Sequence, residues 1–331
     1  MESLKNLKSG LMMIAAVTGN KIVDKSYGWI TASSVLVLTI AMSAELQPVS
    51  AQVECGDTIT GNAILSSDLF CSTNPALTVD GGRLDMNGFT VESVISGDGI
   101  VLLGKNSRLA NGTVIECEDG VKLLGDGGHH VNNVTSADND EEGFAIRSDN
   151  NHLVDCRASN NGDEGFSIDS DNNQLVGCTS SENDDGILVT GDANHIVNCT
   201  VDDNADAGIK LRSGERNHVV GNLIRGENGD EGISIGGGAD KNKINANIIE
   251  DMGDEGILIR SNNDDNKVSG NQVLNSDKEG IKIENSAEGN QITGNTSIGS
   301  GNDDLFDGNL GCDENRWKGN TFETANDDCI N

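Results

Sequence analysis

Proline, tyrosine and positive charge are all scarce in this 331-residue chain. Each shortage excludes something. Only two prolines occur, Pro48 and Pro75, both ahead of the repeats described below. A proline would remove a ladder hydrogen bond, so the proline-free remainder can pair strand on strand. The single tyrosine, Tyr27, lies in the leader-like N terminus, which excludes a Tyr/His elimination mechanism from a mature exported form. Aromatic residues make up 3% of the chain, few for stacking sugars on ring faces. Lys and Arg number 22 against 54 Asp and Glu, a formal net charge of −32. Nucleic acid and anionic membrane surfaces are therefore not expected as partners, since both are held by positive charge. The apolar stretch from Ile30 to Met42 is short for a membrane span.

What is present is a phrase: an acidic pair, a glycine, then two apolar residues in alternation, returning every 21 to 24 residues from Gly99 to Gly280. It reads Gly120-Val-Lys-Leu, Gly143-Phe-Ala-Ile and Gly165-Phe-Ser-Ile, and later Gly256-Ile-Leu-Ile and Gly280-Ile-Lys-Ile. A second phrase follows inside each period, as in Asn151-His-Leu-Val-Asp-Cys156 and Asn266-Lys-Val-Ser-Gly-Asn271. Self-similarity at this length marks a solenoid. Apolar runs of three or four residues alternating with polar ones suit short strands and exclude a helical stripe. One period therefore holds about three short strands joined by Asn, Asp and Gly turns. The expected fold is all-β, a single parallel β-helix of about ten coils. Equivalent residues of neighbouring coils then lie about 4.8 Å apart, so each repeated letter becomes a ladder.

The first 51 residues differ in kind. Lys5, Lys8, Lys21 and Lys25 precede the apolar stretch, and Val49-Ser50-Ala51 offers small residues for cleavage. This reads as a secretory signal with a long basic lead-in. Residues 52–98 are expected to form an N-terminal cap and first coil, 99–301 the regular coils, and 302–331 a terminal coil and cap. Export makes the cysteines readable: Cys55 with Cys71, and Cys312 with Cys329, each bracket one end and are expected as disulfides. Cys156, Cys178 and Cys199 share one repeat position that Asn222, Asn247, Asn271, Asn295 and Asn320 fill in later coils, an inward stack of small side chains. Cys117 has no assigned partner. Trp317 and Phe322 offer rings to close the last coil.

Charge is placed as well as abundant. Glu141 and Glu142, Asp163 and Glu164, Asp184 and Asp185, Asp206, Asp230 and Glu231, and Asp254 and Glu255 all stand just before a repeat glycine. They should form two columns of carboxylates up one edge. Unit charges at coil spacing repel by roughly 0.9 kcal/mol even at the dielectric of water. Either bound cations or ambient salt must offset that. Calcium is the candidate cation, because it takes six to eight oxygens in flexible geometry; Asp163, Asp184, Asp185, Asp206, Asp230 and Asp254 are the expected ligands. The alternative is a solvated acidic edge that confers solubility. Asp138-Asn-Asp-Glu-Glu-Gly143 superficially resembles the start of an EF-hand loop, but the repeat already explains its glycine.

Catalytic candidates are few. Alternation sends the first and third residues after the glycine inward and the second and fourth outward, so Lys210 and Arg212 project from one strand beside Asp185, Asp206 and Asp230. A base next to carboxylates that hold a cation is what proton abstraction alpha to a uronate carboxyl requires. Salt bridging along the sheet face explains the same residues more simply. His152, His195 and His218 share a position with Gln174, Lys243, Lys267, Gln291 and Arg316, an exposed polar row with no demand for imidazole.

The Gly-Ile-x-Ile and Asn-x-Ile-x-x-Asn phrases resemble those of right-handed parallel β-helix repeat proteins, including NosD-like and pectate-lyase-like members. So do Cys55-Gly-Asp-Thr-Ile59, Leu77-Thr-Val-Asp-Gly81 and Leu84-Asp-Met-Asn-Gly-Phe-Thr-Val91 ahead of them. The likeness spans Cys55 to Asn331. It implies a fold and leaves activity open, since that group holds lyases, epimerases and carbohydrate-binding proteins; the Asp-Pro-His motif of the alginate epimerases is missing. Two functions remain: a secreted or cell-surface protein, or a periplasmic one, that binds extracellular polysaccharide or matrix without catalysis, and a calcium-assisted polyuronate lyase or C5-epimerase. Oligomeric state is not legible.

Overall fold

The computed structural model describes residues 52–226 and 229–331. The secretory leader expected over residues 1–51 lies outside them. The chain winds as a parallel β-solenoid with three strands per coil, each hydrogen-bonded to the equivalent strand one coil on. Twelve strands, from Thr58–Ile59 to Leu305–Asp307, stack as the first sheet. They bound eleven complete turns, close to the count expected from the repeat. The second sheet runs from Asn62–Ile64 to Arg316–Lys318 and the third from Leu69–Cys71 to Thr296–Ile298. Register begins at Thr58, which pairs with Thr78. Stacking therefore starts two strands ahead of Gly99, and Pro75 falls in a turn between coils. No helix among the described residues is long and apolar enough to cross a membrane.

Alternation works as read on the inward side. Val121, Leu123, Phe144, Ile146, Ile209 and Leu211 are fully buried, and the rings of Phe144 and Phe166 stack with centroids 4.8 Å apart. The repeat glycines are needed for space: a Cβ on Gly143 would lie 2.7 Å from the Gly165 carbonyl, and one on Gly208 2.6 Å from Ile224. In the last first-sheet strand Asp304 takes the glycine place, paired as Gly280 is in the coil before, and its carboxylate accepts the Glu323 and Thr324 N–H groups of the terminal segment. The bend between the second and third sheets is made by one left-handed residue per coil, such as Asp155, Gly177, Asn198 and Gly221. Asn, Asp and Gly adopt that conformation at little cost.

Each corner contains a polar ladder directed inward. At the bend between the second and third sheets, Asn222, Asn247, Asn271 and Asn295 each donate their backbone N–H to the Oδ1 of the next asparagine at 2.9 Å. Their side-chain amides donate to carbonyls such as Val219 and Ile244. Asn295, part of a glycosylation sequon, is thereby buried. The free thiols Cys156, Cys178 and Cys199 continue this column, and the Cys199 N–H begins the asparagine run at Asn222. A second ladder runs from Ser107 and His129 through Asn151, Asn173 and Asn194 to Asn315. A third runs from Cys117 through Asn139, Asn161 and Asn183 to Asn204. Buried polar groups of this kind are tolerable because each coil satisfies its neighbour.

The ends are closed as expected. Cys55–Cys71 and Cys312–Cys329 are disulfides. Trp317 is buried over Ile292 and donates its indole N–H to Asp307 at 2.8 Å, while Phe322 packs against the core edge.

Candidate functional site

The acidic phrase produces two unlike columns on the first sheet. The residue directly before the glycine is sunk into the surface: Asp119, Glu142, Asp185, Glu231, Glu255 and Glu279 are all buried. The residue one place earlier is more open, as at Glu141, Asp163 and Asp184. Alternation fails to predict the difference because long side chains from the same face fold over the strand. The Arg147 guanidinium reaches Glu142 at 2.9 Å, spanning Ala145, and Arg260 reaches Glu231 and Ser234 of the preceding coil. Ala145 and Ser234, which point outward by pattern, are buried beside these side chains, and the outward-pointing Leu258 is buried too.

Lysines divide the buried column into neutralised segments. Lys122 Nζ lies 2.5 Å from both Asp98 and Asp119. Lys210 Nζ lies 2.9 Å from Asp185 and 3.4 Å from Asp206, and Lys282 Nζ 2.6 Å from Glu255 and 3.2 Å from Glu279. Each lysine thus sits between acids of its own coil and the previous one. Burial pulls the Lys210 ammonium down, but its hydrogen bond and attraction to Asp185, with the charge of Asp206, outweigh that and hold it above the usual lysine value. Lys122 and Lys282 are held up in the same way. Arg212, the other residue singled out for catalysis, is exposed and makes no ion pair among the described residues.

The expected calcium ligands do not converge. Asp163, Asp184, Asp206, Asp230 and Asp254 stack in the outer column and Asp185 in the inner one, and no three of them come within ligand distance among the described residues. Asp254 instead pairs with Lys278 at 2.6 Å. Asp184 and Asp230 are raised above the usual carboxylate value, first by partial burial and then by neighbouring acids. The group that does converge is Asp119, Glu141 and Glu142, whose oxygens all lie within 4.8 Å of one another, a cluster able to hold a metal ion. Burial and a hydrogen bond with Asp119 push Glu142 up to about 8, while that bond and the Lys122 charge keep Asp119 low against its own burial. Glu141 and Glu142 belong to the segment that looks like an EF-hand loop. Its third partner comes from the coil before, a contact that only the coil register discloses.

On the second sheet the polar row reaches further than the second phrase shows. Arg83, Arg108 and His130 precede His152 in register, followed by Gln174 and His195. His218, Lys243, Lys267, Gln291 and Arg316 complete it. The His195 and His218 rings lie 4.6 Å apart and those of His130 and His152 5.9 Å. His129 is not part of this row: its Nδ1 accepts from the Ser107 N–H and its Nε2 bonds the Leu124 carbonyl.

The family model described as periplasmic copper-binding protein (NosD) matches residues 59–248, and that of the right-handed beta helix region matches residues 185–330. No curated protein matches the chain. Among solved structures, the mannuronan C-5 epimerase AlgE6 A-module of Azotobacter vinelandii is similar at a TM-score of 0.58 and 17% identity, covering 82% of this chain and 91% of that one. The catalytic unit of a GH87 alpha-1,3-glucanase from Streptomyces thermodiastaticus reaches 0.57 at 14% identity, covering 83% and 65%. Dettilon tailspike protein reaches 0.55 at 15%, covering 80% and 60%. Identities this low establish the shared fold alone. Nor does the copper in the first description fit the donors here. Copper favours imidazole and thiolate, yet the converging group among the described residues is all carboxylate, the histidines pair only two by two, and the buried free thiols Cys156, Cys178 and Cys199 stack one per coil without forming a converging group.

Proposed function

The chain belongs to the NosD family of right-handed parallel β-helix repeat proteins, and from there we infer that it is an exported carbohydrate-binding protein that does not turn its ligand over. The observation that carries this reading is the state of Lys122, Lys210 and Lys282. Each is clamped between carboxylates and held protonated, whereas proton abstraction needs a neutral amine. Fold likeness to an epimerase and a glucanase that act on polysaccharides supports a carbohydrate ligand. Two disulfides suit an oxidising compartment, extracellular or periplasmic.

Asp119, Glu141 and Glu142 are the proposed calcium ligands. All three are hard oxygen donors, and the ion would displace the proton that Glu142 otherwise keeps. The competing reading is a calcium-assisted polyuronate lyase or C5-epimerase working from Lys210 and Arg212.

One experiment separates them. The protein is incubated with pectate or alginate plus calcium, and unsaturated uronate absorbance, the uronate ratio by NMR and retention of the protein on the polysaccharide are followed. Retention without product is expected; product that disappears in Lys210→Ala would replace this reading with the lyase or epimerase. Calcium should raise the melting midpoint over chelator at matched ionic strength, and Glu141→Gln with Glu142→Gln should abolish the rise. Identical midpoints in the parent protein would leave salt screening as the only role for cations.

A further inference from the structure

We propose that the basic row on the second sheet is the binding surface, and that its ligand is a linear polyuronate lying along the solenoid axis. This rests on the carbohydrate-binding reading above and adds both the face and the chemical class.

The argument starts from composition. Acids outnumber bases by 54 to 22 in this chain, yet no acid occupies the row in any coil from Arg83 to Arg316. Elsewhere cations are absorbed by their surroundings. The first-sheet lysines are clamped, and at the corner leading into the second sheet Arg216 pairs with Asp192 and Glu215, and Lys241 with Glu215. Acids of that corner are engaged as well, accepting backbone N–H groups from the next coil, as Asp149 does from Asp171 and Asp240 from Asp264. Within the row, Arg108, Lys243, Lys267 and Arg316 are exposed and make no ion pair among the described residues. Arg83 has only a 3.8 Å contact with Asp85 while 53% exposed. Cations that no local acid neutralises are therefore gathered on one face of a strongly acidic protein.

Spacing selects the ligand. The row offers one side chain per coil at about 4.8 Å, and the His195 and His218 rings lie 4.6 Å apart. A 1,4-linked uronan advances by a comparable distance per sugar and presents one carboxylate each time. Gln174, Gln291 and the imidazoles of the row can hydrogen-bond sugar hydroxyls between the cations. The acidic body opposes a polyanion at long range. Near physiological ionic strength that repulsion is screened beyond about 8 Å, so direct contacts with the row decide binding.

The test measures binding of the full chain to a polyuronate, to a neutral glucan of equal length and to duplex DNA of equal charge, near physiological salt. Lys243→Glu with Lys267→Glu should weaken polyuronate binding at least tenfold, with an unchanged melting midpoint since both side chains are exposed. Arg157→Glu on the third sheet, compared with Lys243→Glu alone, is the charge-matched control and should have little effect. Equal loss in the control, no loss in the double variant, equal binding of the neutral glucan, or DNA bound as tightly would each overturn the proposal while leaving carbohydrate binding intact. Failure to bind any polysaccharide would overturn the broader reading too.

Discussion

The outward faces of the first and second sheets both repeat a charged position coil after coil, yet they treat it in opposite ways. On the first sheet the repeated acid is buried and three lysines, Lys122, Lys210 and Lys282, are locked between carboxylates. On the second sheet the repeated base is exposed, and Arg108, Lys243, Lys267 and Arg316 find no acid among the described residues. Like charges at coil spacing repel by roughly 0.9 kcal/mol in water and more where water is excluded. A sunken column must therefore be neutralised from within the chain. An exposed one can leave its charge to salt or to a ligand, so the second face is the one free to bind.

The comparison predicts unequal losses when one cation is removed from each face. Lys122→Ala strands Asp119, which is fully buried, and should destabilise the fold by about 3–5 kcal/mol near neutral pH, the usual cost of breaking a buried pair. Lys243→Ala should stay within about 0.5 kcal/mol. Denaturant midpoints measure both. The Lys122→Ala deficit should shrink in acid as the stranded carboxyls take up protons. Equal losses at the two sites would erase the distinction between a neutralised and a free column.

The sequence makes the coil legible because its cause is local: Gly143 and Gly208 stand where a Cβ has no room, and Phe144 with Ile146, or Ile209 with Leu211, follows at period two. The disulfides are legible because each pair closes an end of the repeat. The carboxylate cluster is not, since Asp119 meets Glu142 only through the register between coils. Alternation also assigns an outward direction without saying what folds over it, which is why Ala145 and Ser234 are buried against expectation. The asparagine columns read as an inward row, but the N–H to Oδ1 relay from Asn222 to Asn320 depends on backbone direction at the bend.

A second way to sharpen the contrast uses pH on the buried column alone. Burial and the hydrogen bond with Asp119 push Glu142 up to about 8 in the folded protein, against an ordinary value of 4.5, so the folded state holds that proton more tightly than the unfolded chain. Between those two values the unfolded state binds fewer protons, and stability should fall as pH rises through the window. Glu142→Gln should flatten this dependence in chelator. Asp119, held below its usual 3.8, contributes in the opposite sense: its stabilisation is present above that value and fades as pH falls through its lower folded value. A variant whose stability still declines from pH 4.5 to 8 with the parent's slope would assign the titration to another group.

The smallest expected effect lies where the first sheet comes nearest to behaving like the second. Lys278 replaces the outer acid of its coil and pairs with Asp254 at 2.6 Å, but its side chain is 48% exposed. An exposed pair of this kind contributes about 0.2–1 kcal/mol, and added salt screens it. Lys278→Ala should therefore lower the denaturant midpoint slightly at low ionic strength and not at all near 1 M salt, while the Lys122→Ala loss should persist there. Salt insensitivity of the Lys278 effect would mean that the outer acidic column is desolvated like the inner one, and that exposure alone does not separate the two faces.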